Sequence, residues 1–478
     1  MPLNFGRPPP SWTGPAGWRS SGLPSHFHSF VMAFLSTSPR QSRLVWLAQL
    51  GWLALLTTLS SSSTRNIPND PAHHAVFGCL VRNAPADGIL RLYLDSGGDI
   101  YPPANFLPAS NDGLRQVDNL PNQQADLQWY FDRNPAVRKQ LFAAHGLREP
   151  IGPNPPFDYD NVAWDALRRE MARRFAHAID SATANGTKPL LVLIHGFNVA
   201  DTAHTTQGDC ATRPPAKVRA AAYYPTIRRL LIAQRPELAA ATWLEVYWDG
   251  FQEAPLRIWG AAQLSARYAG LGVREVLRQI QPTTPVRVFT HSAGGIVITQ
   301  ALWNSDPVTK RGAKLLEEKQ LLGMLATIPT PALPDLRVGM LVPALTSEAF
   351  SFYNERTFAS ATATKPVPDY RIVVGQNRRD FAVNKGPLGS EAAGATSMGA
   401  RAAAYEYAKE KCACAGLRPP VDFCVTTASG EVPDRFKHPI GPLVYEEHDW
   451  RLYFERRKPG AAADAPPIMR DFLAQVLD

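Results

Sequence analysis

The chain has 478 residues, of which 45% are hydrophobic and 19% are charged, a composition that excludes global disorder and a protein with many membrane spans. Lysine and arginine number 50 against 42 aspartates and glutamates, and the resulting net charge of +8 would by itself favour an anionic partner such as nucleic acid. Four of these positive charges are arginines within residues 1–64, where no acidic residue occurs, so the rest of the chain carries +4. An excess this small gives no reason to expect a nucleic-acid partner.

The N-terminal region divides into two parts. Residues 1–31 are rich in Pro, Gly and Ser and lack periodicity, which predicts a disordered segment or a misassigned start, with Met32 as the first residue. Residues 32–63 contain Arg40 and Arg43, then the apolar run 44–59, then serines, an order typical of a secretory signal peptide. A membrane span needs about 20 apolar residues, so an uncleaved anchor is the alternative. We therefore expect an exported protein, periplasmic or secreted, with membrane association through residues 44–59 if they are retained.

The number of cysteines fits an exported protein but is too small for a disulfide scaffold. Cys412 and Cys414 are too close to bridge each other comfortably, so each can pair elsewhere, with Cys424 as one candidate. The pairing stays open. Neither a Cys-x-x-Cys pair nor the histidine spacing of a zinc site is present, so we expect no metal. The remaining two cysteines are Cys79 and Cys210.

Residues 64–155 are predicted to form an N-terminal elaboration of short strands and loops, with strands at 75–81 and 89–94. Apolar residues then recur at helical spacing over residues 164–179, which predicts an amphipathic helix. Four arginines are predicted on its solvated face, without the interleaved aromatic residues of a nucleic-acid site: Arg168, Arg169, Arg173 and Arg174.

Residues 156–478 alternate between apolar strands and helices. This alternation predicts one α/β domain with a mostly parallel sheet and helices on both faces. Such sheets place their sites beyond the carboxyl ends of the strands. The predicted strands are 190–194, 242–248, 286–290, 338–345 and 370–375. The predicted helices are 217–234, 256–280, 293–303 and 310–322.

A His-Gly pair follows the predicted strand 190–194. In this position, before a serine motif, it predicts an oxyanion loop in which the backbone N–H groups of Phe197 and Ala293 face the developing negative charge. His195 and Gly196 would support this loop. We expect His195 to brace the loop rather than to act as the catalytic base.

The predicted strand 286–290 runs directly into a serine and then into a helix. This arrangement predicts a nucleophile elbow, a tight turn that lifts the hydroxyl of Ser292 above the sheet. Small residues are needed two positions before and after the serine, and Gly294 meets that need. Thr290 departs from the pattern, because it occupies the place of the first glycine of G-x-S-x-G. His291 completes the motif as a supporting residue.

A serine nucleophile requires a base and an orienting carboxylate, in the chain order serine, acid, histidine. Asp380 lies just past the carboxyl end of strand 370–375 and is the predicted acid, with Glu348 as the alternative. Only His438 and His448 follow Asp380. His448 is the predicted base, because the apolar residues 452–454 behind it can anchor its loop.

Residues 160–455 resemble the α/β-hydrolase superfamily. More narrowly, they are similar to a bacterial branch of exported or membrane-associated α/β hydrolases of unknown function. The resemblance implies the α/β-hydrolase fold and a triad of Ser292, Asp380 and His448. It covers neither residues 64–155 nor the cysteine-bearing segment 398–440, which is predicted to be an insertion before the catalytic histidine. The residues that carry the narrow similarity are 194–198, 290–294, Val342-Pro343-Ala344, Asn377 and Asp380-Phe381-Ala382.

The sequence therefore predicts an exported serine hydrolase that cleaves carboxylic esters of small molecules or lipids through an acyl-enzyme, without cofactor or metal. One alternative is a catalytically inactive hydrolase fold that serves as a binding module of the cell envelope. Another is an amidase, peptidase or thioesterase with the same triad. Four aromatic residues near the motifs would line an acyl pocket or belong to the core: Phe197, Trp248, Phe251 and Trp303.

Overall fold

The computed structural model describes residues 75–114, 126–149, 162–197, 219–250, 255–303, 324, 328–345, 349, 370–377, 421–424 and 467–478. All of them belong to one compact unit, Leu59–Asp478. The predicted segments 1–31 and 32–63 lie outside the described residues, as do Phe251, Glu348, Asp380 and His448.

The fold is of the α/β class, built on a central parallel sheet. The described residues form seven strands in the order β1-β3-β2-β4-β5-β6-β7, and every neighbouring pair is parallel. Strands β2, β3 and β4 are buried at every residue, which is the expected result for a parallel sheet covered on both faces. The strands are β1 Leu90–Tyr93, β2 Leu190–Ile194, β3 Thr242–Tyr247, β4 Val286–His291, β5 Leu336–Leu341, β6 Arg371–Gln376 and β7 Val421–Cys424.

Helices pack on both faces of this sheet. The α-helices are α1 Gly78–Arg82, α2 Asp126–Arg133, α3 Pro135–Ala144, α4 Val162–Ala182, α5 Arg219–Gln234, α6 Pro255–Leu277, α7 Gly294–Leu302 and α8 Pro467–Leu477. On one face, Arg228 of α5 pairs with Glu245 of β3, and Phe472 of α8 lies over Gly339 of β5. On the other face, α6 lies against Leu94, and α4 and α7 pack on α6.

Most predicted elements of the α/β region are confirmed within a few residues. The predicted helix 310–322 lies outside the described residues. The predicted strand 338–345 is wrong at its end, because β5 stops at Leu341 and Val342 turns into a backbone conformation with positive φ. Part of the segment 398–440, which was predicted to be an insertion, belongs to the sheet. Residues 421–424 form β7, which pairs with β6 and belongs to the central sheet.

The N-terminal region departs further from the prediction. The strand predicted at 89–94 is confirmed as β1, which joins the same sheet beside β3. The strand predicted at 75–81 is wrong, because residues 78–82 form helix α1. Residues 126–144, predicted as strands and loops, form α2 and α3. Short apolar runs do not distinguish a buried helix from a strand by periodicity alone, which explains these errors.

The prediction that four arginines lie on the solvated face of α4 is only partly correct. Arg173 and Arg174 pair with Glu170 near the surface. Arg168 instead is buried, and its Nε donates to Asp99 Oδ1 at 2.6 Å. An acid contributed by the loop after β1 therefore draws this arginine into the core, a contact that the helical pattern does not reveal.

No helix among the described residues is both long enough and apolar enough to cross a bilayer.

Candidate active site

The predicted oxyanion loop and the predicted elbow lie side by side at the carboxyl edge of the sheet. The loop follows β2 and the elbow follows β4, and these two strands pair in register from Leu190–Val286 to Ile194–Thr290. This adjacency brings together motifs that are about a hundred residues apart in sequence, at the edge where parallel sheets bind their ligands.

Ser292 occupies a tight turn between β4 and α7. Its φ is 52°, although it is not a glycine, and α7 begins two residues later. A non-glycine residue in this region costs of the order of 1–3 kcal/mol and persists only where its surroundings fix it. Here the Ser292 N–H donates to Leu341 O at 3.0 Å, and the Ser292 carbonyl accepts from the N–H groups of Gly295 and Ala344, also at 3.0 Å.

Two glycines allow the elbow and the loop to approach each other. A Cβ on Gly196 would lie 2.8 Å from the Cβ of Ser292. A Cβ on Gly294 would lie 2.8 Å from the carbonyl oxygens of both Ile194 and His195. Since real Cβ atoms essentially never come this close to another heavy atom, the close approach itself requires glycine at both positions.

Thr290, the residue that departs from the G-x-S-x-G pattern, is buried at the end of β4. Its position is fixed by both neighbouring strands, because it pairs in register with Ile194 of β2 and with Met340 of β5. Its Oγ1 makes no hydrogen bond to any residue that the structure describes. A β-branched side chain is therefore accommodated here as part of the sheet, two residues before the turn.

His195 is fixed by bonds to its backbone and to its ring. Its backbone N–H donates to Tyr224 Oη at 2.9 Å, and its carbonyl accepts from Trp248 Nε1 at 2.9 Å. The ring stacks on the Trp248 indole, with centroids 5.3 Å apart and planes 9° from parallel. His195 Nε2 accepts the Trp248 backbone N–H at 3.3 Å, and Nδ1 lies 2.8 Å from Gly196 O.

These contacts define the protonation state of His195. Burial lowers its pKa to about 4, and this shift is partly opposed by the hydrogen bond to the Gly196 carbonyl and by the negative charge of Asp249. The ring is therefore neutral at neutral pH, and because Nε2 accepts a hydrogen bond, the proton resides on Nδ1 and is donated to Gly196 O. A neutral histidine whose two nitrogens are both engaged has the properties of a brace rather than of a catalytic base.

The bond to Gly196 O also orients the next peptide. In a planar trans peptide the N–H points opposite to the C=O. Because the Gly196 carbonyl is directed at the His195 ring, the N–H of Phe197 is directed away from it. The second predicted donor, the N–H of Ala293, belongs to the buried N-cap residue of α7, where the helix dipole favours negative charge.

The remaining sequence-predicted residues fall into two groups. His291 is buried and its Nδ1 lies close to Gly196, in contact with the oxyanion loop. Asp380, His448 and the alternative acid Glu348 are outside the described residues, so a triad is not assembled by the described part of the chain.

The structural roles of three further residues at this edge were not predicted from the sequence. Trp248 and Tyr224 hold His195, and Val342 has a positive φ of 45° beside Ser292. The only signal for Trp248 is its position directly after β3, and aromatic residues there are commonly core. Trp248 and Trp303 are indeed fully buried, so neither lines an open acyl pocket.

Within the described ranges, no group of three or more His, Cys, Asp or Glu side chains lies together in a way that could hold a metal ion. Comparison of the chain with models of known protein families, with curated proteins and with solved structures finds no match.

Proposed function

We propose that the chain is an exported serine hydrolase with the α/β-hydrolase fold, and that it cleaves carboxylic esters. The observation that carries the proposal is the strained strand–turn–helix at Ser292, with φ 52°, against which the His195–Gly196 loop packs. A strained turn of this kind is typical of a nucleophile elbow, and the adjacent loop offers backbone N–H donors for an oxyanion.

In the proposed reaction, Ser292 Oγ attacks the acyl carbonyl carbon and its proton passes to His448, which Asp380 orients. The N–H groups of Phe197 and Ala293 stabilise the oxyanion. Collapse of the tetrahedral intermediate breaks the ester bond, and the leaving alkoxide takes the proton from His448. Water then attacks the acyl-Ser292 ester in the same way, releasing the acid and restoring the serine.

Export is supported by two independent features. Residues 32–63 have the order of a secretory signal, and Cys79 is disulfide-bonded. Structural disulfides persist in oxidising compartments and are rare in the cytosol. The disulfide therefore favours a periplasmic or secreted location.

The test is labelling with a fluorophosphonate probe, followed by hydrolysis of 4-nitrophenyl esters and anilides of varied chain length. We expect the wild type to be labelled at Ser292 and to cleave esters faster than anilides. Ser292→Ala should abolish both signals, whereas Ser181→Ala, which alters an exposed serine of α4, should leave them intact.

The alternative acid Glu348 and the other downstream histidine, His438, supply controls for the proposed triad. Asp380→Asn and His448→Gln should each reduce the ester kcat by about 10⁴-fold, whereas Glu348→Gln and His438→Gln should not. A folded wild type that is not labelled at Ser292, together with a cellular role that survives Ser292→Ala, would favour the inactive binding module instead.

A further inference from the structure

The N-terminal segment 75–82 enters the molecule at the edge of the sheet that carries the candidate site. Ala75, Val76 and Phe77 are all completely buried. The N–H of Ala75 donates to Asp249 Oδ1 at 2.9 Å. Asp249 lies just past the carboxyl end of β3 and is also completely buried, so a segment far away in sequence is bonded to a buried carboxylate beside the oxyanion loop.

The segment is held in this position at several further points. The ring of Phe77 packs on Tyr101 and Tyr247, with centroids 5.8 and 6.0 Å apart. The N–H of Cys79 donates to Asn111 Oδ1 at 2.8 Å, and Cys79 is disulfide-bonded. Residues 75–82 are thus a fixed part of the core rather than a loose N-terminal extension.

Asp249 is the residue after Trp248, and its own backbone is also tied down. Ser265 of α6 donates its hydroxyl to Asp249 O at 2.7 Å. With its side chain bonded to Ala75 and its carbonyl bonded to Ser265, Asp249 fixes the chain just after Trp248. Trp248 in turn donates its indole N–H to His195 O and its backbone N–H to His195 Nε2.

A continuous chain of contacts therefore runs from the N-terminal segment to the predicted oxyanion donor. Ala75 bonds Asp249, Asp249 adjoins Trp248, Trp248 holds His195, and His195 Nδ1 bonds the Gly196 carbonyl. The planar peptide converts the position of that carbonyl into the direction of the following N–H. Each link is a hydrogen bond or a covalent neighbour, and every residue named is buried.

We propose that Asp249 is a positioning residue, and that the segment 75–82 acts through Asp249, Trp248 and His195 to orient the oxyanion loop of the hydrolase. This inference rests on the proposed function for its kinetic consequence. The geometric part, that the segment fixes His195, stands independently of any activity and can be measured separately.

The kinetic test compares three variants and one control variant of the full chain, with 4-nitrophenyl acetate as substrate. Asp249→Ala removes the acceptor, and Ala75→Pro removes the donor of the same hydrogen bond. Each should lower kcat about 10²-fold, the effect of a displacement of about 1 Å at a reacting centre, with a much smaller change in KM. Asp249→Asn keeps an acceptor oxygen and should retain most of the activity. Glu170→Gln, on the outer side of α4, is the control that should change nothing.

The structural test uses protein labelled with ¹⁵N-histidine, with the His195 signals assigned from a His195→Gln variant. In the wild type we expect a neutral ring protonated at Nδ1. In Asp249→Ala and Ala75→Pro, the His195 signals should move toward a mixture of tautomers, whereas Asp249→Asn and Glu170→Gln should leave them in place.

The two readouts separate the two ideas. A wild type with no hydrolase activity and no labelling at Ser292 contradicts the proposed function, while the His195 signals still decide whether the segment holds the loop. Unchanged His195 signals in folded Asp249→Ala overturn the positioning role. If that variant does not fold, Ala75→Pro tests the same bond from its other end, and a normal kcat with unchanged His195 signals there has the same meaning.

Discussion

Two neighbouring strands end in turns whose residues have positive φ without being glycine. Ser292 follows β4 with φ 52°, and Val342 follows β5 with φ 45°. The turns are bonded to each other, because the Ser292 N–H donates to Leu341 O and the Ala344 N–H donates to Ser292 O. For a serine in an elbow this backbone is expected, whereas for a β-branched valine it is a genuine outlier.

The difference between the turns shows that strain at this edge has two uses. At Ser292 it presents a hydroxyl at the carboxyl edge of the sheet. At Val342 it presents no chemical group, but the Val342 N–H donates to Gly375 O at 2.8 Å and the turn brings Ala344 within reach of the Ser292 carbonyl. The second strained turn supports the first, and the bonds around both offset the cost of their backbones.

The largest effect we expect comes from the histidine behind the Ser292 turn. Because burial lowers the pKa of His195 to about 4, the unfolded chain binds a proton there at a higher pH than the folded chain does. This contribution to stability is complete above about pH 6.5 and is lost as the pH falls through about 4. From pH 7 to pH 4 the wild type should lose about 3 kcal/mol of unfolding free energy that His195→Gln does not lose.

Urea denaturation at several pH values measures this difference. His177→Gln, which alters an exposed histidine of α4, is the control and should follow the wild type. Parallel curves for wild type and His195→Gln would show that His195 is not held neutral in the folded protein.

Adjacent glycines allow the surroundings of the two turns to be compared directly. A Cβ on Gly294 would meet the backbone oxygens of the His195 loop at 2.8 Å, whereas a Cβ on Gly295 would meet the Pro343 side chain at 3.1 Å. Gly294→Ala should therefore cost about 1–3 kcal/mol. Gly295→Ala should cost less, because its Cβ would meet a side chain at a longer distance rather than backbone oxygens. The preference of about 1 kcal/mol for alanine over glycine in a helix applies to both positions. Equal unfolding free energies for the two variants would contradict the close packing of the loop on the elbow.

Glycine substitutions that relieve the strain at Ser292 or at Val342 should give the smallest changes in unfolding free energy. Ser292→Gly loses little apolar burial, so removal of the strain should stabilise the fold by up to about 1 kcal/mol. Val342→Gly also relieves strain, but it removes a fully buried valine side chain, whose burial is worth about 1.5–3 kcal/mol. We therefore expect a net loss of about 1 kcal/mol in unfolding free energy. A loss at Val342 of about 3 kcal/mol or more, measured by urea denaturation, would mean that its backbone carries no strain.

The sequence predicts the centre of the sheet well, because apolar strands bounded by turn residues carry a strong signal. It also indicates which glycines and which serine lie at the strand ends. It does not predict the positive φ of Val342, since no residue type there favours that backbone conformation. Nor does it predict the contacts that hold His195, because the sequence indicates only a pocket or core role for Trp248 and only a helical position for Tyr224.

Two of the errors, the solvated position of Arg168 and the strand at 75–81, have a common origin. Arg168 is buried by Asp99, and Ala75 is held by Asp249, and each of these contacts joins residues far apart in the chain. Periodicity reports only on local structure, so it treats Arg168 as solvated and the segment from residue 75 as a strand. Strand order has the same limitation, since nothing in the sequence places β2 between β3 and β4.

Strand β1 has a consequence for how the protein reaches this structure. Leu90 pairs with Leu244, about 150 residues later in the chain, and such non-local pairings slow folding because a long loop must close first. The edge of β3 that pairs with β1 therefore remains unpaired until both ends of that loop meet. During this interval an unpaired apolar edge is exposed to other chains, and we expect refolding yield to fall steeply as protein concentration rises.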